Sequence, residues 1–211
     1  MASTKVICPA PLRIITALVT GLFLVLGFSS CNSSNPKDAQ PTQPTVSVKV
    51  APNNGAAPVL ATLPTVVRDA ELQAVSGDPI KISDYDGKVL LVNLWATWCG
   101  PCQMETPELV KLHKEFQARG VEMIGLSTEN PEASAMAVRE FVKDHKIDYR
   151  IGWATREVAV TLMQGRDSIP QSFVITRDGH ILKRFIGFRA GDDPQATPIL
   201  LRQALEQALK T

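Results

Sequence analysis

Apolar and polar positions divide the chain into three stretches of different texture. Ile14 to Phe28 is almost continuously apolar, and Asn32 to Leu63 is rich in Ser, Asn, Gln, Thr and Pro. From about Thr65 onward, short apolar runs alternate with segments whose apolar residues recur at helical spacing, the pattern of an α/β domain. Val89-Leu90-Leu91-Val92-Asn93-Leu94-Trp95, bounded by Gly87-Lys88, predicts a buried parallel strand. Gln103 to Arg119 carries Leu109, Leu112 and Phe116 and stops at Gly120, which predicts a helix. Val121 to Ser127 predicts a second central strand. Pro131 suits the start of a helix running to about His145, with Ala135, Val138, Phe141 and Val142 on one face. A short strand at Tyr149 to Gly152 and a helix at Glu157 to Gln164 follow. Ser172 to Thr176 and Ile181 to Phe188, on either side of Arg177-Asp178-Gly179-His180, predict an antiparallel hairpin. The last helix, from about Pro198, buries Leu201, Leu205 and Leu209. Ser76-Gly77-Asp78-Pro79 is a turn signal that makes Glu71 to Ile82 a further hairpin.

Against this pattern, Trp98-Cys99-Gly100-Pro101-Cys102 places two thiols two residues apart where the first central strand gives way to a helix. Unpaired backbone N–H groups and the positive end of the helix dipole favour a thiolate there. A free cysteine has a pKa of about 8.5, and the first thiol of a Cys-X-X-Cys motif near ~7 is typical of thioredoxins. The difference is about 2 kcal/mol and raises the thiolate fraction at neutral pH from a few per cent to roughly half. Cys99 is therefore the expected attacking sulfur, and Cys102, one turn on, the resolving thiol. The same spacing also serves as half of a zinc site or as a structural disulfide. Zinc normally takes four ligands, and no second Cys-X-X-Cys or paired-His cluster accompanies this one, so no metal site is expected.

The run Val92-Asn93-Leu94-Trp95-Ala96-Thr97-Trp98-Cys99-Gly100-Pro101-Cys102, followed by Glu105-Thr106-Pro107, resembles the thioredoxin superfamily and its TlpA/ResA/CcmG-like, membrane-tethered branch. The resemblance extends from about Thr65 to the C-terminus through Ile82-Ser83-Asp84-Tyr85-Asp86-Gly87-Lys88, Val121 to Ser127, and Ile169-Pro170-Gln171-Ser172-Phe173-Val174-Ile175. It implies a thioredoxin-like α/β fold with a central mixed sheet flanked by helices, an N-terminal β-hairpin, and an extra strand–helix insertion between the dithiol helix and the Pro170 strand. The 71-residue gap between Cys99 and Pro170 leaves room for that insertion.

The resemblance also implies roles. Pro170 matches the family's cis-proline, whose loop lies against the dithiol; an ordinary trans turn is the bland alternative. Trp98, Gly100, Pro101, Ile169 and Pro170 would form the substrate groove. Pro107 matches the proline that interrupts the active-site helix. Glu105 shares a helix face with Cys102 and matches a buried acid that moves protons for the dithiol, although a first-turn acid can merely complement the dipole. Ordinary thioredoxins carry an Asp on the preceding strand, where this chain has Asn93, which cannot titrate. Ser168 and Gln171 depart from the usual Gly and Thr around the Ile-Pro pair, and Gln171 is expected to border the groove. Trp95 and Trp98 are expected to pack the base of the dithiol, Trp153 to lie in core or loop, and His113, His145 and His180 to lie at the surface.

Composition narrows the function classes. The 211 residues carry a formal charge of +1, with no basic stripe that would suggest nucleic acid. Lys5 and Arg13, the apolar run and Phe28-Ser29-Ser30-Cys31 read as a secretory signal over residues 1–30 ending in a lipobox, with Cys31 lipidated and inserted in the bilayer. An uncleaved anchor is the rival, although 15 residues are short for a span. Residues 31–64 then form a flexible tether reaching about 30 Å as coil, and 65–211 the domain. Val46 to Val50 alternates and could pair as a strand. Without Lys5 and Arg13 the balance is 20 basic to 21 acidic, so attachment must come from lipid rather than a polybasic patch. Only Cys99 and Cys102 then remain as a thiol pair, suited to exchange rather than stapling.

The expected activity is an extracytoplasmic, membrane-anchored thiol–disulfide oxidoreductase acting as a reductase of protein disulfides, with the Cys99–Cys102 pair as its redox centre and no other cofactor. The family resemblance implies apocytochrome c among its disulfide substrates and a membrane electron donor of the CcdA/DsbD type. Two alternatives are a thiol peroxidase, whose usual Pro and Thr shortly before the cysteine are absent, and a copper-handling Cys-X-X-Cys protein.

Overall fold

In the computed structural model, which describes residues 60–193 and 195–211, the first central strand falls on the expected residues: β2, Val89–Trp95, is buried along its whole length. The other strands are β1 (Ala61–Thr62), β3 (Val121–Ser127), β4 (Arg150–Trp153), β5 (Gln171–Ile175) and β6 (His180–Ile186). Among the described residues they form one six-stranded sheet in the order β1-β6-β5-β2-β3-β4. β2–β3 and β3–β4 are parallel, while β5 joins β2, and β6 joins β5, antiparallel. Helices α1 (Thr65–Arg68), α2 (Gly100–Phe116), α3 (Pro131–Asp144), α4 (Arg156–Met163) and α5 (Thr197–Ala208) cover the sheet. β4 and α4 are the expected insertion between the dithiol helix and the Pro170 strand.

The period of two along β2 sorts its side chains into separate layers. Leu90, Val92 and Leu94 pack with Ile124, Leu126, Phe173 and Ile175 beneath α1 and α4. Val89 and Leu91 face the other way, into a layer closed by Leu109, Leu112 and Phe116 of α2 and Leu201, Leu205 and Ala208 of α5. Further along that second face, Trp95 joins Cys99, Cys102, Val138, Phe141, Ile151 and Trp153. Asn93 therefore has to point toward α2.

Helix ends follow local chemistry. Asn130 caps α3 by accepting from the N–H groups of Glu132 and Ala133, and Thr155 caps α4 through Val158 N–H. The dithiol helix runs through one 3₁₀ turn, Gln117–Arg119, and ends at Gly120, whose φ of +86° is left-handed.

Five expectations need correcting. The hairpin over Glu71 to Ile82 shrinks to one antiparallel bridge, Leu72 with Ile80. Its first arm turns instead to the open edge of β4: Val75 N donates to Ile151 O at 2.8 Å and Trp153 N to Gln73 O at 3.0 Å. His113 is buried rather than at the surface, because Asp148, 35 residues away in sequence, puts Oδ1 2.9 Å from its Nδ1. Trp98 is 71% exposed and packs under nothing. Gln171 is fully buried and sits on the α4 side of the sheet, opposite to Ser172. There its amide donates to the Arg166 and Ser168 carbonyls, both at 2.7 Å, and accepts from Arg184. It stiffens the approach to Pro170 from beneath and does not border the groove. The expected signal, lipidation at Cys31, the Val46 strand and most of the tether lie outside the described residues, but the expected tether boundary at residue 64 is too late: Ala61 and Thr62 already pair with β6, and Leu63 is buried in the core.

Candidate active site

Cys99 is the N-cap of α2, and its sulfur accepts from Cys102 N–H at 3.2 Å. A side chain that accepts at this position satisfies one of the donors every helix start leaves free, so the helix begins at Gly100 and not at Gln103. Pro101 in the first turn lacks an N–H that would in any case have gone unpaired. Cys99 and Cys102 are joined by a disulfide of S–S 2.05 Å and are buried, whereas Trp98, Gly100 and Pro101 around them are exposed. The sulfur pair thus lies at the floor of a small opening.

The opposite wall is the loop before β5. The Ile169–Pro170 peptide is cis, and the Ile169 carbonyl oxygen lies 3.7 Å from Cys99 Sγ. Pro170 itself is buried and its carbonyl accepts from Gly187 N–H at 2.8 Å, which fastens the loop to the end of β6. The structure therefore brings Ile169 and Pro170 to the dithiol.

One turn along α2 from Cys102 lies Glu105, only 2% exposed. Asn93 and Ser172 are directly opposed across β2 and β5, and both face α2. Asn93 Nδ2 donates to Glu105 Oε2 at 2.9 Å and to Ser172 Oγ at 2.9 Å, while Ser172 Oγ donates to Glu105 Oε1 at 3.3 Å. Burial pushes the Glu105 carboxyl up to about 7, against the two hydrogen bonds, which favour the charged form. No cation faces it among these partners. A carboxyl that titrates near neutrality in a dry site is suited to give and take a proton. Tyr149 belongs to the same environment: burial raises its phenol, and the negative charge of Glu105 adds to the rise. The helix holds despite Pro107, which removes the N–H that the Gln103 carbonyl would have bonded.

The sequence marks Asn93 only as a residue that cannot titrate, and it misses Ser172 as a partner of Glu105. The register of β2 against β5 is what joins them, and a 79-residue separation conceals it. Glu129 is also missed. It follows the last residue of β3 by two and bonds the Thr97 backbone and hydroxyl. The signal available for it is a polar Ser-Thr-Glu-Asn run closing an apolar strand before Pro131. Among the described residues, no group of three or more His, Cys, Asp or Glu side chains converges as a metal site.

Comparison with known proteins agrees with this geometry. A family model described as AhpC/TSA matches residues 65–184, which include both cysteines, Glu105 and the Pro170 loop. The chain belongs to the AhpC/TSA family. Within that thioredoxin-fold family it is similar to a thiol-disulfide oxidoreductase ResA of Bacillus cereus, 31% identical over 122 residues, or 58% of this chain and 65% of that one. ResA of Bacillus subtilis (strain 168) is 29% identical over 116 residues, 55% of this chain and 63% of that one. The matches thus span less than two thirds of these relatives' length. Among solved structures, a thiol:disulfide interchange protein of the thioredoxin family from Chlorobium tepidum TLS has a TM-score of 0.57 at 27% identity, covering 73% of this chain and 98% of that one. A secreted Mycobacterium tuberculosis disulfide oxidoreductase homologous to E. coli DsbE shares the fold, at 18% identity and a TM-score of 0.52 over 66% and 96% of the two chains.

Proposed function

We propose that this protein is a thiol–disulfide oxidoreductase that reduces disulfides in other proteins. The observation that carries the reading is a Cys-X-X-Cys pair at a helix start with a buried, near-neutral carboxyl one turn beyond it. In the reduced protein, the Cys99 thiolate attacks one sulfur of a substrate disulfide. A Cys99–substrate bond forms and the other substrate sulfur leaves as a thiolate. Cys102 then gives its proton to Glu105 and attacks Cys99 Sγ, forming the Cys99–Cys102 disulfide and expelling the second substrate thiolate. Two electrons pass from the dithiol to the substrate, and both released thiolates take up protons. Glu105 returns its proton to Cys102 when a donor dithiol reduces the pair again. The exposed ring of Trp98 and the Ile169 backbone offer the substrate an apolar surface and an extended edge on either side of the sulfur.

The protein works outside the cytoplasm, tethered through a lipid on Cys31, with the Pro-, Ser- and Asn-rich residues between Cys31 and β1 giving the domain reach from the bilayer. Its donor is a membrane protein of the CcdA/DsbD type, and apocytochrome c is among its substrates. The amino-terminal sequence and the ResA relatives support this reading. Among the described residues no helix is long and apolar enough to cross a membrane.

Direction of electron flow follows from what surrounds Cys99. Strong oxidants of this chemistry sit near ~−120 mV because their reduced form is stabilised, and thioredoxin sits near ~−270 mV. The Gly100-Pro101 pair between the cysteines brings no cation to the thiolate. The full-length protein equilibrated with a dithiothreitol buffer should show a potential below about −220 mV. In the reduced form it should cleave a protein disulfide and leave hydrogen peroxide unconsumed. A potential above about −150 mV would make it an oxidant or isomerase, and faster turnover of peroxide than of disulfide would make it a peroxidase.

A further inference from the structure

Glu129 takes no part in the exchange steps above, yet its carboxylate collects three donors. Thr97 N–H donates to Oε2 at 2.8 Å, the Thr97 hydroxyl to Oε1 at 2.7 Å, and the Ser127 hydroxyl to Oε2 at 3.0 Å. The residue is itself held firmly on both sides. Its own N–H donates to the fully buried Ser127 at 3.2 Å, and the next residue, Asn130, caps α3. Thr97, two residues before Cys99, is tied a second time, because its carbonyl accepts from Gln103 at 2.8 Å. Thr128 N donates to Trp95 O at 2.9 Å and completes the seam between the two strand ends.

The loop that delivers Cys99 to α2 is therefore fastened to the β3–α3 turn, chiefly through one half-buried carboxylate. Thr97 and Ser127 could have been served by any acceptor, including a neutral amide. A carboxylate adds a negative charge beside the end of the helix where the thiolate forms, in a place screened less than the open surface. Such a charge opposes the thiolate. Because a less stabilised reduced form makes a stronger reductant, the charge pushes the pair in the reducing direction.

We infer, resting on the dithiol chemistry proposed above, that Glu129 is a positioning residue of the active site: it fixes the Ala96–Trp98 loop opposite Ile169 and, through its charge, tunes the Cys99–Cys102 pair toward reduction. Glu129→Gln keeps the size and an acceptor oxygen but removes the charge. Glu129→Ala removes both charge and acceptor.

The test is equilibration of the full-length protein and both variants with a dithiothreitol redox buffer, alongside urea unfolding of the oxidised forms. Glu129→Gln should shift the equilibrium constant at least threefold toward the dithiol, about 15 mV or more in potential, with its unfolding midpoint unchanged. Glu129→Ala should show the same shift and, in addition, at least tenfold slower reduction of a protein disulfide. If Glu129→Ala does not fold, the Gln variant carries the test alone. A shift in Glu129→Gln smaller than threefold, or one toward the disulfide, would overturn the inference and leave Glu129 a loop staple. Wild-type protein that cannot reduce any protein disulfide, in the same assay, would instead remove the oxidoreductase reading.

Discussion

The contact between β2 and α2 has two ends built to different specifications. At one end, Val89 and Leu91 meet Leu109, Leu112 and Phe116, with Leu201 and Leu205 of α5 closing the layer; every side chain buried in that layer is apolar. At the other end, the same strand and the same helix present Asn93, Glu105 and the two cysteines, all almost as deeply buried. Burial alone thus does not distinguish scaffold from site. The difference is what each buried group does with its polarity. The first end gains stability from every side chain it hides. The second hides a carboxyl whose charge the interior disfavours, satisfies it with one amide and one hydroxyl, and holds it near its titration point. Proteins often place such a costly group where function needs it, and rely on neighbouring packing to keep the fold.

The comparison breaks most visibly at the apolar end. Phe116 has no exposed surface, and the guanidinium of Arg119 lies 4.7 Å from its ring centroid. Phe116→Ala should cost about 3–5 kcal/mol of stability, since the lost transfer energy adds to the cavity left behind. Urea unfolding of the oxidised protein measures it. The rate of disulfide exchange below the transition should stay within a few-fold of the unchanged protein, because the polar end does not touch that ring.

At the polar end the effect is pH-dependent and somewhat smaller. The Glu105 carboxyl is raised from 4.5 to about 7 in the folded state, so the folded protein holds that proton more tightly than the unfolded chain. The stability this gives is fully present below about pH 4.5 and is lost as pH rises through about 7, a swing of roughly 3 kcal/mol. Glu105→Gln keeps the size, can still accept from Asn93, and does not titrate. Its stability relative to the unchanged protein should therefore grow by about 3 kcal/mol across that window, while exchange slows and its pH dependence changes. Parallel stability curves, together with superimposed rate–pH profiles, would reduce Glu105 to a residue of the helix start.

How legible each end is follows from the same physics. Largely apolar runs that begin just after Gly87-Lys88 and just after Gly120 mark β2 and β3 to the residue, because strands buried on both faces carry few polar positions to misread. The two cysteines and the Ile169-Pro170 pair stand out because their residue types are chemically specific. What escapes depends on partners remote in sequence. Asn93 and Ser172 meet only through strand register, and His113 is buried because Asp148 reaches it from beyond α3. Nearness to Pro170 suggests the groove for Gln171, yet alternation along β5 turns it to the far side of the sheet. The Glu71 to Ile82 hairpin keeps one bridge, at Leu72 and Ile80, while the alternate residues Gln73 and Val75 turn their backbone groups to the edge of β4, a pairing that local pattern does not announce. Local pattern speaks for elements, and tertiary pairing decides which polar groups share a site.

The central claim is that Cys99 attacks and Cys102 resolves, with the buried end of α2 shaping both steps. It is tested most directly by trapping mixed disulfides in reduced Cys102→Ala and Cys99→Ala proteins exposed to a protein carrying a single disulfide, followed by non-reducing separation and mass measurement. The buried Cys99 sulfur faces the Ile169 carbonyl at the opening, while Cys102 lies beneath it at 1% exposure. Cys102→Ala should therefore accumulate a one-to-one adduct through Cys99 that only added thiol releases, and Cys99→Ala should accumulate none. Equal trapping by both variants, or adducts formed only through Cys102, would contradict the account.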